Sequence, residues 1–235
     1  MAKALWYIPS GRKFSMFWQW ANRVDFVDKL ILSNYLTHEA HKIARKFFLE
    51  NDYDYFIMGH DDYLGSPDYV RQLLRDEKKH NFPVISGWSN IYLFKDLASI
   101  TIRKPRGIEK GKVGMKDYPF VSMSDLIQAK YGYPFVRVWF IGFPLTLIRR
   151  DVFEKVPFRG FKTMKDGFCN TPKTKKLGRP IVFDLAFAVD CAKKKIPIHI
   201  DTRVFLMHFG KRGMYQYLRM GKDKKKTKFV KAKRK

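Results

Sequence analysis

The chain has 235 residues, 46% hydrophobic and 16% aromatic, which is enough to bury one full core and suits a single domain. Two cysteines, Cys169 and Cys191, exclude a disulfide framework and fit a reducing compartment. The formal charge is +25, and residues 211–235 hold twelve Lys or Arg against one Asp, a net +11 of that total.

The start, Met1 to Pro9, has too short an apolar run for a secretory signal. The longest uncharged apolar stretch, Val138 to Ile148, is about half of what a membrane-spanning helix needs. The expectation is a soluble, cytoplasmic protein with a domain over 1–210 and a basic tail over 211–235. Such a tail suits a solvated arm, nucleic acid or anionic lipid headgroups. Met214, Tyr215, Tyr217, Leu218 and Met220 would give its first half an amphipathic helix suited to peripheral membrane contact.

In chain order, Ala4 to Ile8 predicts a first strand, ended by Pro9-Ser10-Gly11. The aromatic run Phe14 to Trp20 predicts a short amphipathic helix, and Lys29 to Ser33 a second strand. Thr37 opens a helix with Ile43, Ala44, Phe47 and Phe48 inward. A strand over 53–58, a helix over 67–79 and a strand from Pro83 to Ser86 follow. Residues 95–130 read as irregular, with a hairpin around Ile100 to Ile102.

Strands are predicted at Val136 to Ile141 and Leu145 to Ile148, then a short helix ending before Pro157. Residues 159–180 read as a loop. Asp184 opens a last helix, and strands at Ile196 to Ile200 and Val204 to Met207 close the domain. This alternation predicts an α/β fold with a mostly parallel sheet flanked by helices.

The densest chemical signal is His60-Asp61-Asp62, three metal-ligand types where an apolar strand stops. In open α/β sheets ligands bind beyond the carboxyl ends of strands, and carboxylates there are useful to a divalent cation. The same triplet also reads as an acidic turn solvating a strand end.

Four segments together resemble a GT-A fold glycosyltransferase, nucleotide-sugar-dependent and family-2-like, over roughly residues 3–210. They are Ala4-Leu-Trp-Tyr-Ile-Pro-Ser-Gly-Arg12, His60-Asp61-Asp62, Val138 to Phe153, and Phe183-Asp184 with Ile200 to Gly210. The resemblance implies a Rossmann-like single domain that moves a sugar from a nucleotide-activated donor to an acceptor: glycan, lipid or protein. It implies metal ligation by Asp62 and His208, with His60 as a third ligand, and a divalent cation, Mn²⁺ favoured over Mg²⁺ because imidazole suits manganese better.

The resemblance further implies donor binding by Pro9, Ser10, Arg12, Asp61, Gly87, Trp88 and Gly142, and Asp184 as catalytic base. Asp184 reads equally as a helix-start carboxylate, Trp88 as a core aromatic, and Gly142 as a turn glycine. Two departures stand out: His60 occupies the first Asp position of the motif, and His41 stands where relatives often carry Arg. A nucleic-acid-binding protein or metal-dependent nuclease, and a GT-A-like binding module without activity, remain the competing readings; no nucleic-acid-binding motif is present.

Overall fold

The computed structural model describes residues 2–11, 15–35, 37–91, 96–105, 119–159, 183–208 and 224–233. Strand β1 (Ala4–Ser10) is buried at every position because its side chains enter two different cores. Leu5 and Tyr7 face one, Trp6 and Ile8 the other. A strand buried on both faces belongs inside a sheet covered by helices on both sides, which explains its unbroken apolar run.

β1 pairs in parallel with β2 (Asp28–Ser33) and β3 (Tyr55–Gly59). β5 (Val84–Ser89) and β10 (Ile198–His208) are also parallel. Between these groups runs β9 (Leu145–Arg149), antiparallel to both β3 and β5. Five strands therefore share one direction and end on one edge. β4 (Tyr63–Leu64) and β7 (Phe135–Val138) pair antiparallel with β10, and β11 (Lys226–Val230) pairs antiparallel with β2, completing a nine-stranded sheet. β6 (Ile100–Thr101) and β8 (Phe140–Ile141) form a separate pair.

Helices α1 (Ser15–Arg23) and α3 (Asp68–His80) pack on the Trp6 face through Phe17, Trp20, Val70 and Leu73. On the opposite face lie α2 (Thr37–Glu50), α4 (Met123–Ala129), α5 (Arg150–Lys155) and α6 (Phe183–Lys193). There Phe56 stacks on Phe153 with ring centroids 4.3 Å apart, and Phe48 meets both rings edge-on. The expected α/β domain with a mostly parallel sheet between helices is what the chain forms.

Several elements differ from the sequence reading. The closing strands expected at 196–200 and 204–207 are one strand, β10, whose register on β5 shifts between Ile200 and Phe205. Asp201, fully buried within that irregularity, accepts from Arg203 Nε at 2.9 Å and from Gln72 Nε2 at 2.6 Å, which fastens β10 to α3. The run Val136 to Ile141 divides at Trp139, with β7 on β10 and β8 on β6.

Within 95–130, read as irregular, Ser122 caps α4 by accepting from the Ser124 and Asp125 amides. The expected hairpin at 100–102 is instead the β6–β8 pairing. The loop expected over 159–180 lies outside the described residues from 160 on, as does the first half of the basic tail. The second half is no separate arm: β11 extends the sheet, Phe229 packs on Phe47, and the Ala232 amide donates to Asp28 at 2.7 Å. No helix among the described residues is long and apolar enough to cross a membrane.

Gly87 explains how β5 and β10 approach so closely. A Cβ there would lie 2.7 Å from the Val204 carbonyl oxygen and from the Val204 and Leu206 side chains. Since a backbone oxygen cannot swing aside, Gly87→Ala is expected to destabilise the fold by about 1–3 kcal/mol, read as a lower denaturant midpoint at unchanged m-value.

Candidate functional site

The site lies where β1, β3 and β10 end. After Gly59 the chain leaves β3 through His60, Asp61 and Asp62, then pairs briefly with β10 as β4. Both carboxylates are buried, at 3% and 5% exposure, so each must be compensated by the surrounding chain. Asp61 Oδ2 accepts from Ser10 Oγ at 3.2 Å and from the Gly11 amide at 3.0 Å, which ties the loop after β1 to the end of β3. Asp62 turns the other way, its Oδ2 lying 3.0 Å from His208 Nε2 at the end of β10.

His208 is fixed from three sides. Tyr63 stacks on its ring at 4.7 Å, Asn90 Oδ1 accepts from its amide at 2.9 Å, and Asn90 Nδ2 donates to its carbonyl at 3.4 Å. Asn90 and Tyr63 escaped the sequence reading because neither role has a local signature. Asn90 matters through a partner 118 residues away.

His60 takes a different direction. Its ring meets His41 and Tyr63 edge-on, each with centroids 6.3 Å apart. Among the described residues no group of three or more His, Cys, Asp or Glu gathers as a metal site. The structure thus brings Asp62 and His208 together and does not add His60 to them.

The Asp62–His208 pair nonetheless fits a divalent ion. Two ligands at right angles on an octahedral ion, each ~2.1 Å away, lie ~3.0 Å apart. The observed 3.0 Å contact is an ordinary hydrogen-bond distance and equals that spacing, so these two side chains could hold such an ion. Hard divalent ions commonly take one or two protein ligands and fill the remaining positions with phosphate oxygens and water.

His41 is the other residue that sequence reasoning undervalued. It is 1% exposed, its Nδ1 lies 2.9 Å from the Tyr7 hydroxyl, and its ring lies 4.6 Å from that of Phe183. His41 thus touches both Phe183, at the start of α6, and His60, just past the end of β3. Asp184, one residue on, accepts from the Leu185 amide at 2.8 Å. The residue keeps some exposed surface, yet its carboxyl is deeply desolvated, which pushes its pKa up to about 6 against the partial relief of backbone hydrogen bonds.

Of the remaining residues expected at the donor, Gly87, Trp88 and Gly142 make packing contacts. Gly87 abuts β10 rather than open space. Trp88 is 2% exposed, with Nε1 donating to the Thr202 carbonyl at 2.9 Å and its ring on Phe205, so it is a core aromatic. Gly142 donates to the Ser99 carbonyl at 2.9 Å, and the next residue, Phe143, is held at φ 52° among buried rings. Pro9 is buried within β1, and Arg12 lies outside the described residues.

No family model matches the chain, and no curated protein matches it. Among solved structures, the crystal structure of A197 from STIV is similar over 89% of this chain and 86% of its own, at 18% identity and a TM-score of 0.55. That likeness is one of fold. Weaker likenesses reach the CMP:2-keto-3-deoxy-manno-octonic acid synthetase complexed with CTP, at 11% identity over 93% of this chain and 97% of the other, TM-score 0.47. S. aureus TarS in complex with UDP-GlcNAc follows at 8% identity over 89% of this chain and 59% of its own, TM-score 0.43.

Two outcomes check this geometry. Asp61→Ala leaves the Ser10 hydroxyl and Gly11 amide without their carboxylate, and is expected to cost about 1–3 kcal/mol in chemical denaturation. For Asp184, the folded pKa lies above the ordinary carboxylate value near 4, so the folded state holds a proton that the unfolded chain has released. The stabilisation this gives is complete below about pH 4 and is lost as pH rises through about 6. Asp184→Asn should therefore gain stability over wild type between pH 4 and pH 7, in paired melting curves.

Proposed function

We propose that the protein is a glycosyltransferase that moves a sugar from a nucleoside-diphosphate donor to an acceptor hydroxyl. The observation that carries this reading is the Asp62–His208 contact at the strand ends, beside a loop from β1 held by Asp61. Carboxylate and imidazole at cis-ligand spacing suit a divalent ion accompanying a diphosphate, and imidazole favours Mn²⁺ over Mg²⁺. When bound, such an ion supplies charge stabilisation to the diphosphate as it leaves.

The chain's own residues supply the rest. Asp62 and His208 would hold the ion, with Tyr63 and Asn90 keeping His208 in place. Asp61 acts as a positioning residue, presenting the loop at Ser10 and Gly11 to the nucleotide. Asp184 takes the proton of the acceptor hydroxyl while that oxygen forms its bond to the anomeric carbon. The bond from that carbon to the phosphate oxygen breaks, and the nucleoside diphosphate leaves. A desolvated carboxylate titrating near 6 is a better base than a solvated one and is ionised at neutral pH.

Thermal melting with UDP, GDP and CDP, each with and without Mn²⁺, tests the reading. One diphosphate should raise the melting temperature by roughly 5–10 °C at about a hundredfold excess over Kd, only with metal present. Asp62→Asn should abolish that metal-dependent shift. With the donor so identified, Asp184→Asn should bind it normally but transfer about a hundredfold more slowly or worse. No shift with any diphosphate would overturn the proposal, and full transfer by Asp184→Asn would reduce that residue to a helix-start carboxylate.

A further inference from the structure

The edge formed by β11 and the outer face of α2 is a second feature of the molecule that the transferase reading does not use. Between residues 224 and 233 stand six lysines and no acidic residue, and all six are exposed. This strand does not hang free. β11 pairs with β2 from Lys226 opposite Ser33 to Val230 opposite Lys29, and its far end is tied to Asp28 and to the Asp25 carbonyl. A fixed strand holds its charges at fixed spacing.

Three contacts align β11 with α2. Lys225 pairs with Glu39 at 2.9 Å, the Tyr35 hydroxyl lies 2.9 Å from Thr227 Oγ1, and the Phe229 ring lies 5.5 Å from Phe47. On α2, Glu39 and Phe47 are eight residues apart on one stripe, and Ile43 lies midway between them. Ile43 and Phe229 are 37% and 38% exposed. Two apolar side chains thus stand out of a lysine-rich surface.

The basic character continues across α2. Lys42 and Lys46 are exposed, and with Arg45, Leu49, Glu50, Pro157 and Phe158 they line a cavity of about 350 Å³. Arg45 turns inward onto the Phe153 and Glu154 carbonyls, so lysine carries the outward charge. The acids on this face are engaged: Glu39 by Lys225, and Glu50 by Lys46 at 3.6 Å.

We propose that this face docks the protein on an anionic lipid bilayer, with the lysines in the headgroup layer and Ile43 and Phe229 at the interface. Lysine ammonium groups are mobile point charges that suit a diffuse anionic layer. Phosphate-backbone recognition would favour the arginine fork, and among the described residues of this face the arginine, Arg45, is spent on carbonyls. Exposed aliphatic and aromatic side chains among lysines match the composition of interfacial surfaces. Lysines also guard edge strands against aggregation, but that role explains neither the apolar pair nor the charge on α2. The proposal stands whether or not the transferase reading does.

Sedimentation of the full chain with vesicles of phosphatidylcholine alone, or with one third phosphatidylserine, tests the proposal. Wild type should partition to the anionic vesicles about tenfold or more over the neutral ones, and lose this in high salt. The double variant Lys226→Glu with Lys228→Glu, both at exposed positions, should lose about tenfold or more while melting as wild type does. Ile43→Ser should weaken binding a few-fold at low salt. Equal partitioning of wild type to both vesicles would overturn the proposal, as would an unaffected charge-reversal variant. Salt-sensitive retention on duplex DNA with no vesicle binding would assign the face to nucleic acid instead.

Discussion

Two adjacent carboxylates, both buried, set the terms for this molecule. Asp61 and Asp62 follow one another where β3 ends, and neither charge can be left uncompensated at that depth. Consecutive side chains point apart, so one carboxylate reaches toward β1 and the other toward β10. Asp61 gathers Ser10 and Gly11, and Asp62 meets His208. The need to compensate two neighbouring charges thus draws three strand ends together, and the candidate site is the place where they meet.

The sheet makes this convergence possible. β1, β3, β5 and β10 run in one direction, so their carboxyl ends share an edge. β10 reaches the site past an irregularity halfway along it, where the buried Asp201 is held by Gln72 and Arg203. Burial raises the neighbouring Asp76 carboxyl, with Asp201 adding to the shift. Gly87 removes the side chain that would keep β5 from β10 at that point. On the other face, His41 packs against both Phe183 at the start of α6 and His60 just past β3, linking the two elements through α2.

The parts legible in the sequence were those with a local cause. β1, β2, β3, β9 and the helices over 37–50 and 68–80 follow directly from apolar periodicity bounded by turn residues. The significance of His60-Asp61-Asp62 was legible because polar residues interrupt an apolar run. What periodicity could not show was pairing: that β9 runs backwards between β3 and β5, that Trp139 hands the chain from one sheet to another, or that the lysine-rich end forms β11. These depend on partners far along the chain, the nearest being Thr101 opposite Phe140. The same limit applies within the site. Trp88 and Gly87 resemble sugar-contacting residues in sequence, whereas their neighbours Thr202 and Val204 give them packing roles. His60, first of the triplet, turns toward His41, which the helical period places on the buried stripe with Ala44 and Phe48 although it is polar.

The claim on which the functional account turns is that Asp62 and His208 together hold a divalent ion. Anomalous diffraction at the manganese edge, from crystals soaked in Mn²⁺ and a nucleoside diphosphate, measures it directly. The account predicts one peak within about 2.3 Å of both Asp62 Oδ2 and His208 Nε2. A peak elsewhere, or none while those two atoms keep their direct contact beside a bound diphosphate, would contradict it.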